Sequence, residues 1–372
     1  MKVVVLGSYA PSLINFRGRL IEEMVAAGHS VVGCAPGSDA KVARALAERG
    51  AAYLPVSLRR TGLNPPLDAW SVLRLAGTLR RLRPDVLFAY TAKPVIYGAL
   101  AARMAGVPAV FALISGLGYA FVEGRGARML MRRLVSTMYR ASLRHADAIF
   151  FQNPDDLEDF RRLAITGHGQ KAIRVNGSGV DVGHYRLAPP TLEPPTFLLI
   201  ARLLKDKGIV EFVEAARRVR ARHGQARFRL LGPTDTNPSA IPASDLERWQ
   251  AEGVIEYLGE ADDVRPYLAD STAFVLPTVY REGMPRTLLE ALSTGRALIT
   301  TDAPGCRETV LPGENGFLVP AGDVDALAQA IERFVVQPDL AVAFGSRSRA
   351  LAEERFDVRK VNAVMLEAMG LR

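Results

Sequence analysis

Cysteine is almost missing from this chain of 372 residues: Cys34 and Cys306 are the only two. They have no companion ligands at metal spacing, so both are expected to be free thiols in a reducing compartment. Long hydrophobic runs are missing too. The most apolar region, residues 86 to 122, is broken by Lys93, Arg103 and prolines, which excludes a membrane span. The opening "MKVVVLGSYAPS" reads as a strand and a turn. It has no cationic segment leading into an apolar one, so no signal peptide is expected. No repeat of 20 to 50 residues and no low-complexity tract occurs. The five histidines (His29, His145, His168, His184, His223) sit before a strand, at helix ends or in loops and form no catalytic constellation. No "GxGxxG" follows the first strand, so a dinucleotide cofactor is not expected. The acidic clusters "TDT" (234–236) and "ADD" (261–263) lack further ligands and read as helix caps, so no metal is expected either.

What is present is ordinary globular material, 49% hydrophobic and 23% charged, long enough for two domains. The net charge of +8 is unevenly spread. Residues 1 to 185 hold 24 Lys and Arg against 13 Asp and Glu, a net +11, and the remainder holds 23 against 26, a net −3. An anionic partner is therefore expected at the first half: nucleic acid, a phospholipid surface or a phosphorylated substrate.

Short apolar runs alternate with longer helical patterns in both halves. "KVVVLG", "SVVGCAP", "DVLFAY", "AVFALI" and "DAIFFQN" are strands of the first, and "TFLLIAR", "FRLLGP", "AFVLPT" and "ALITTD" of the second. Strands apolar throughout suit a parallel sheet covered on both faces. The proline-rich stretch 184 to 196 falls where the alternation restarts and reads as an interdomain linker. The expected architecture is α/β, two doubly wound Rossmann-like domains facing across a cleft, with ligands at the carboxyl ends of the strands. Residues 1–185 would form the first domain and 186–352 the second. Residues 353–372 would form a helix packing back on the first.

The segment "YREGMPRTLLEALSTG" (280–295) places Glu282 in a loop and Glu290 in a helix opened by Pro285 and closed by Gly295. A helix start after a strand offers unpaired N–H groups and a positive dipole end to a phosphate. Gly283 lets backbone approach a ligand. Glu290 lies on an apolar segment with Leu288, where a carboxylate needs donors, and a ribose diol would serve. Upstream, "LLIARLLKDKGIVEF" puts Arg202 at a strand end and Lys207 before a helix, two cations placed to neutralise a diphosphate leaving group.

Taken in order, R-x4-K-G, "LGP", "YLGE" and "REGMPRTLLEA" resemble the GT-B glycosyltransferases of family 4, the retaining "glycosyl transferases group 1". The resemblance spans nearly the whole chain. "INFRGRL" (14–20), "FALISGLGYAF" (111–121), "GPTDTNPS" (232–239) and "APGCRE" (303–308) are similar to bacterial members that extend a saccharide on undecaprenyl diphosphate in surface-glycan or glycoprotein-glycan assembly. It implies that Arg202 and Lys207 hold the diphosphate of a nucleotide sugar, a UDP-sugar. Glu282 would contact the sugar, and the Gly283-Met284-Pro285 backbone the sugar and phosphate. Leu288 would lie with them, Glu290 would hold the ribose, and Gly232 and Gly259 would border the base. Glu282, Arg202 and Lys207 would be the catalytic groups. The two glutamates would then grip one donor rather than act as the close carboxylate pair of a retaining glycosidase. Metal-independent transfer, with retention of configuration, is also what the resemblance implies. Many members carry a histidine after the fourth strand, where this chain has Lys93.

The acceptor side is expected in residues 123 to 147. Arg125, Arg128, Arg132, Arg133, Arg140 and Arg144 fall on one arc of a helix, with Leu130, Met131, Leu134, Met138 and Ala141 opposite as its core face. Met129, Tyr139 and Leu143 interleave the arginines, and the preceding "GLGYAFVEG" is expected to expose further apolar groups. Such a face suits an anionic lipid surface, a solvated basic face being the alternative. Arg17, Lys93, Gly116 and Tyr119 complete the acceptor and membrane set. A peripheral protein on the cytoplasmic face of the inner membrane would follow. An epimerase or phosphorylase of the same fold, a nucleic-acid-binding module and a non-catalytic sugar-nucleotide sensor are the rival readings. The arginine helix lacks the aromatic ladder of a nucleic-acid module.

Overall fold

The computed structural model describes all residues except 60–63, 122–125 and 168, and all side chains except those of 119, 120, 127 and 128 as well. Two compact units divide the chain: Met1–Ser178 with Val358–Arg372, and Gly179–Asp357.

The first unit is built on a seven-stranded sheet of order β3-β2-β1-β4-β5-β6-β7, every neighbouring pair parallel. Its strands are β1 (Lys2–Leu6), β2 (Ser30–Pro36), β3 (Ala52–Val56), β4 (Val86–Tyr90), β5 (Ala109–Ile114), β6 (Ala148–Phe151) and β7 (Lys171–Arg174). Alternation of side chains along a strand sends successive residues into two cores. Val4, Leu6, Leu87 and Ala89 enter one, and Val3, Val5, Val86 and Phe88 the other. Both faces are covered, which is why the strands are apolar throughout. The chain order reverses between β1 and β4, the switch point of the sheet.

The second unit repeats the plan with six parallel strands in the order β10-β9-β8-β11-β12-β13. These are β8 (Thr196–Ile200), β9 (Arg227–Leu231), β10 (Glu256–Tyr257), β11 (Ala273–Leu276), β12 (Ala297–Thr301) and β13 (Gly316–Val319). Phe197, Leu199 and Val275 face one core, and Leu198, Ile200 and Leu276 the other. The switch point lies between β8 and β11.

Three expectations are corrected. The chain passes between units at Ser178 and Gly179 and again at Asp357 and Val358, so the boundaries at 185 and 352 each shift by several residues. The returning helix Val358–Met369 buries Val361, Met365 and Leu366 in the Val3/Val5 core of the first unit, and Asn362 donates to Glu23 (2.9 Å). The proline-rich stretch is not a linker, because it belongs wholly to the second unit. Thr191 N–H bonds to Ser271 O (3.2 Å), and the fully buried Arg296 donates to the carbonyls of Ala188, Pro189 and Ser271. One guanidinium thereby fastens the proline-rich stretch to the second unit through several backbone carbonyls at once.

The Ala127–Leu143 helix also packs differently from its wheel. Tyr139 and Leu143 are buried, with Ser136 and Ser142, whereas Leu130, Met131, Leu134 and Ala141 are exposed. Choosing the solvent side by charge failed because the inward face is set by aromatic packing. The Tyr139 ring lies 5.2 Å from Phe160 and 6.4 Å from Phe121. Leu117 and Phe121 of the preceding segment are buried rather than displayed.

Candidate active site

The loops after the strands of the second unit bring together most of the residues singled out in that half. After β8, Arg202 leads into a 3-10 turn, Lys205–Lys207, and Gly208 at φ 75° opens the helix Ile209–Arg222. A Cβ at Gly208 would overlap the Pro277 carbonyl, so glycine is what lets this turn lie against the end of β11. The Asp206 carbonyl accepts from Thr278 Oγ1 (2.9 Å) and Val279 N–H (3.0 Å), tying the two loops together. Across that junction Lys207 Nζ donates to Glu282 Oε1. Their side chains are 13% and 18% exposed, and the ammonium lies 5.6 Å from the Tyr280 ring centroid. Two residues read separately from the sequence form one sheltered ion pair. A Cβ at Gly305, after β12, would overlap the Gly283 and Glu282 carbonyls, so glycine is what lets this turn lie against the glutamate loop.

Helix Arg286–Thr294 starts directly after this loop. Pro285 is its N-cap and supplies no capping side chain, so the first-turn N–H groups gain no side-chain acceptor from it. Met284 and Leu288 are both buried. Leu288 is wholly in the core around Leu198 and Phe274, which corrects its assignment to the donor surface: its side chain supports the helix from beneath.

Glu290 is 5% exposed. Its donors come from the protein: the Tyr185 hydroxyl at 2.7 Å and Arg286 Nε at 2.6 Å. Burial raises the carboxyl above its ordinary value despite both partners. Arg286 stands four residues before Glu290, and the i,i+4 rule could have found it. Tyr185 arrives from 105 residues away, and no local pattern announces it. Tyr185 also lines a cavity of about 520 Å³ with His184, Arg186, Asp263 and Arg265.

Gly232 and Gly259 meet directly, Gly232 N–H on Gly259 O at 2.7 Å, and Tyr257 donates to Gly232 O at 3.0 Å. At φ 149° Gly232 leaves no room for a Cβ beside the Ala201 carbonyl. Arg202, half exposed, is held by Asp235 at 3.0 Å. Asn237 N–H and then Arg202 keep the Asp235 carboxyl below its ordinary value. The "TDT" acid is thus a partner of the strand-end arginine, not a helix cap.

In the first unit the acceptor set separates into two groups. Arg17 is not a surface residue: it is 2% exposed, with its guanidinium 5.1 Å from the Tyr90 ring centroid. Lys93 is paired with the buried Asp68 at 3.1 Å. Gly116 takes φ 100° in the turn after β5. Arg125 and the side chains of Tyr119 and Arg128 lie outside the described residues. Arg132 and Arg133 stand on the Ala127–Leu143 helix beside the exposed Met129, Leu130, Met131 and Leu134. With Ser136 and Thr137 they line a cavity of about 380 Å³. A second apolar and cationic face went unnoticed in the sequence. On helix Pro65–Leu82, Leu67, Trp70 and Leu73 are exposed at helical spacing, with Arg74 stacked 4.5 Å from Trp70 and Arg80 and Arg81 beyond. Apart from Asp68 neither helix carries an acid. Among the described residues no helix is long and apolar enough to cross a membrane.

Two parallel-sheet units of this plan form the GT-B fold, and in the second an ion-paired lysine and glutamate stand at the strand ends. Residues 15–168 match the glycosyl transferase 4-like domain and residues 194–337 the glycosyl transferases group 1 family, and the chain belongs to these glycosyltransferases. It is 27% identical to the N,N'-diacetylbacillosaminyl-diphospho-undecaprenol alpha-1,3-N-acetylgalactosaminyltransferase of Campylobacter jejuni, over 89% of this chain and 88% of that one. It is 25% identical to the UDP-Gal:alpha-D-GlcNAc-diphosphoundecaprenol alpha-1,3-galactosyltransferase of Escherichia coli, over 72% and 70%. In fold it is similar to the sucrose-phosphate synthase of Thermosynechococcus elongatus (TM-score 0.80, 16% identity, covering 99% and 98%). Anabaena HepE in complex with UDP gives a TM-score of 0.77 at 18% identity, covering both chains fully. These matches give the epimerase reading no support.

Proposed function

We propose that the protein transfers a hexosyl or N-acetylhexosaminyl unit from a UDP-sugar to a saccharide carried on undecaprenyl diphosphate, in the assembly of a surface or protein-linked glycan. The observation that carries this reading is the sheltered Lys207–Glu282 pair beside the uncapped start of helix Arg286–Thr294. Lys207 and Arg202 neutralise the departing diphosphate, with the helix N-terminus as a third positive element. Glu282 and the Gly283-Met284 backbone orient the sugar, and Glu290, held by Tyr185 and Arg286, receives the ribose. The departing phosphate takes the acceptor's proton, and because the two cations and the helix end carry its charge, no bound metal is required. The names of the Campylobacter and Escherichia relatives support the lipid-diphosphate acceptor. The two acid-poor helix faces support a peripheral seat on anionic lipid at the cytoplasmic side of the inner membrane.

The test is direct. Purified protein is given UDP-glucose, UDP-galactose and their N-acetyl forms with a synthetic saccharide on a short polyprenyl diphosphate, in EDTA. A hexose or N-acetylhexosamine mass increment, with release of UDP, is expected. No product from any donor, and no UDP-dependent rise in melting temperature, overturns the reading. Product only after Mn²⁺ or Mg²⁺ is restored overturns its metal-free part.

Glu290→Gln separates stability from function. A folded-state carboxyl raised above its unfolded value destabilises the fold where it is ionised. That penalty is full above the raised value, fades as pH falls from there towards the ordinary 4.5, and is gone below it. The variant is expected to melt no lower than wild type at pH 7 to 8, with any gain gone near pH 4, while UDP affinity falls about tenfold or more. Calorimetry and UDP titration check both halves.

A further inference from the structure

The helix Ala127–Leu143 carries a hydroxyl and a guanidinium nitrogen that the fold leaves without partners. Ser136 is 5% exposed, and its Oγ has neither solvent contact nor a hydrogen-bond partner. Helical serines and threonines commonly return their proton to the carbonyl one turn back. Ser71, Thr78, Thr137 and Ser346 do so here, on the carbonyls of Leu67, Arg74, Arg133 and Val342. Ser136 does not. One turn before it, Arg132 Nε is likewise sealed from solvent and unpartnered. An orphaned buried donor costs free energy, and two at one place call for an acceptor.

Both residues line one cavity of about 380 Å³, together with Met129, Arg133, Arg140 and Leu163. Positions 129, 132, 133, 136 and 140 follow one another at helical spacing, which stacks them along one side of the helix. Leu163, at the end of helix Pro154–Arg162, supplies the facing wall. Arg140 fastens that wall: its Nε donates to Ala164 O at 2.9 Å and its Nη2 to Leu163 O at 2.6 Å, so its charge is fixed beside the cavity. Among the described residues, none of Arg132, Arg133 and Arg140 is paired with a carboxylate. Thr137 also lines the cavity, but its proton already goes to the Arg133 carbonyl. The space thus combines uncompensated guanidinium groups, one free hydroxyl and apolar walls. A metal cation would be repelled there. Planar guanidinium forks match the oxygens of a phosphate ester, and Met129 and Leu163 suit the carbon attached to it, which inorganic phosphate lacks. Leu130, Met131 and Leu134 are exposed on the same helix, the apolar company a lipid would meet.

We propose that this cavity is a discrete site for the phosphate ester of an anionic phospholipid. Arg132 and Arg133 hold the phosphate oxygens, and Ser136 donates to one of them as the flexible Arg132 side chain turns onto the ligand. Met129 and Leu163 lie against the glycerol carbons. Only the source of the phosphate ester, a membrane phospholipid, rests on the peripheral seat proposed above. That seat needs no more than a diffuse positive face, whereas this site is saturable and depends on a hydroxyl that carries no charge.

The test removes the membrane surface. Dihexanoyl phosphatidylglycerol, kept below the concentration at which it forms micelles, is titrated calorimetrically into the full chain, with dihexanoyl phosphatidylcholine and inorganic phosphate as comparisons. Saturable binding is expected, with phosphatidylglycerol the tightest of the three. Ser136→Ala should weaken it about tenfold or more, the usual loss for a hydrogen bond to a charged group, and Arg132→Gln by a similar factor. Ser136→Ala should melt at or above wild type, because the hydroxyl it removes has no partner in the free protein. Equal affinity in Ser136→Ala and wild type, no saturable binding, or a Ser136→Ala protein that melts well below wild type overturns the proposal. Phosphatidylcholine or inorganic phosphate binding as tightly as phosphatidylglycerol overturns the anionic phospholipid as occupant. Should Arg132→Gln not fold, Ser136→Ala decides alone. Co-sedimentation of wild type with anionic vesicles, run alongside, tests the seat itself. No vesicle binding overturns the seat and with it the phospholipid, and vesicle binding without a saturable site overturns this site alone.

Discussion

Lys207→Ala is expected to lower turnover by about 10²–10³-fold, the usual cost of removing one preorganised group from a site where charge develops. The fold should survive, because Lys207 belongs to a short turn whose backbone bonds (Lys207 N–H to Leu204 O, Gly208 N–H to Lys205 O) do not involve its side chain. Glu282→Gln should show a comparable loss for a different reason: it keeps the shape but releases Lys207 from its partner and weakens the grip on the sugar. The pair predicts non-additivity. The double variant should lose little more than the worse single one, since each residue positions the other. Steady-state kinetics on the three proteins, with circular dichroism to confirm folding, checks this. Near-normal turnover in both single variants would remove the site assignment.

Reversing Arg132 and Arg133 to glutamate is expected to weaken binding to anionic vesicles by roughly 10²–10³-fold, at about 1 kcal/mol for each charge lost and a similar amount for each opposite charge gained. Neutral vesicles should show much less change. The structure adds a second arm. Trp70→Ala on helix Pro65–Leu82 should reduce binding to both kinds of vesicle, because it removes an interfacial aromatic rather than a charge. Co-sedimentation at two ionic strengths separates the contributions. Unchanged binding in the arginine variant would return the Ala127–Leu143 helix to a solvated basic face.

The active-site geometry also shows where local reading stops. Arg286 and Glu290 share one helix face, so their contact was available from spacing alone. Lys207 and Glu282 lie 75 residues apart, and their contact depends on β8 and β11 being neighbours in the sheet. Tyr185 depends on a proline-rich segment folding onto the second unit, held there by Arg296, and that segment had every local mark of a linker. The arginine helix misled for a related reason. Charge and apolarity describe what a surface could contact, but the inward face was decided by Phe121 and Phe160, contributed by other elements.

The strand pattern, by itself, determined two parallel α/β units, because strands covered on both faces must be apolar at every position. The order of the glycine-rich and charged loops after those strands brought the proposed donor residues together, because in a parallel sheet all such loops lie at one edge. Tertiary structure alone decided which side chains neutralise one another, which helix faces remain open, and where the chain passes between units. Those outcomes depend on contacts between residues dozens to hundreds of positions apart. The free energy of burying a charge such as Arg17 or Glu290 is set by what surrounds it in space, and neighbours in sequence do not record that.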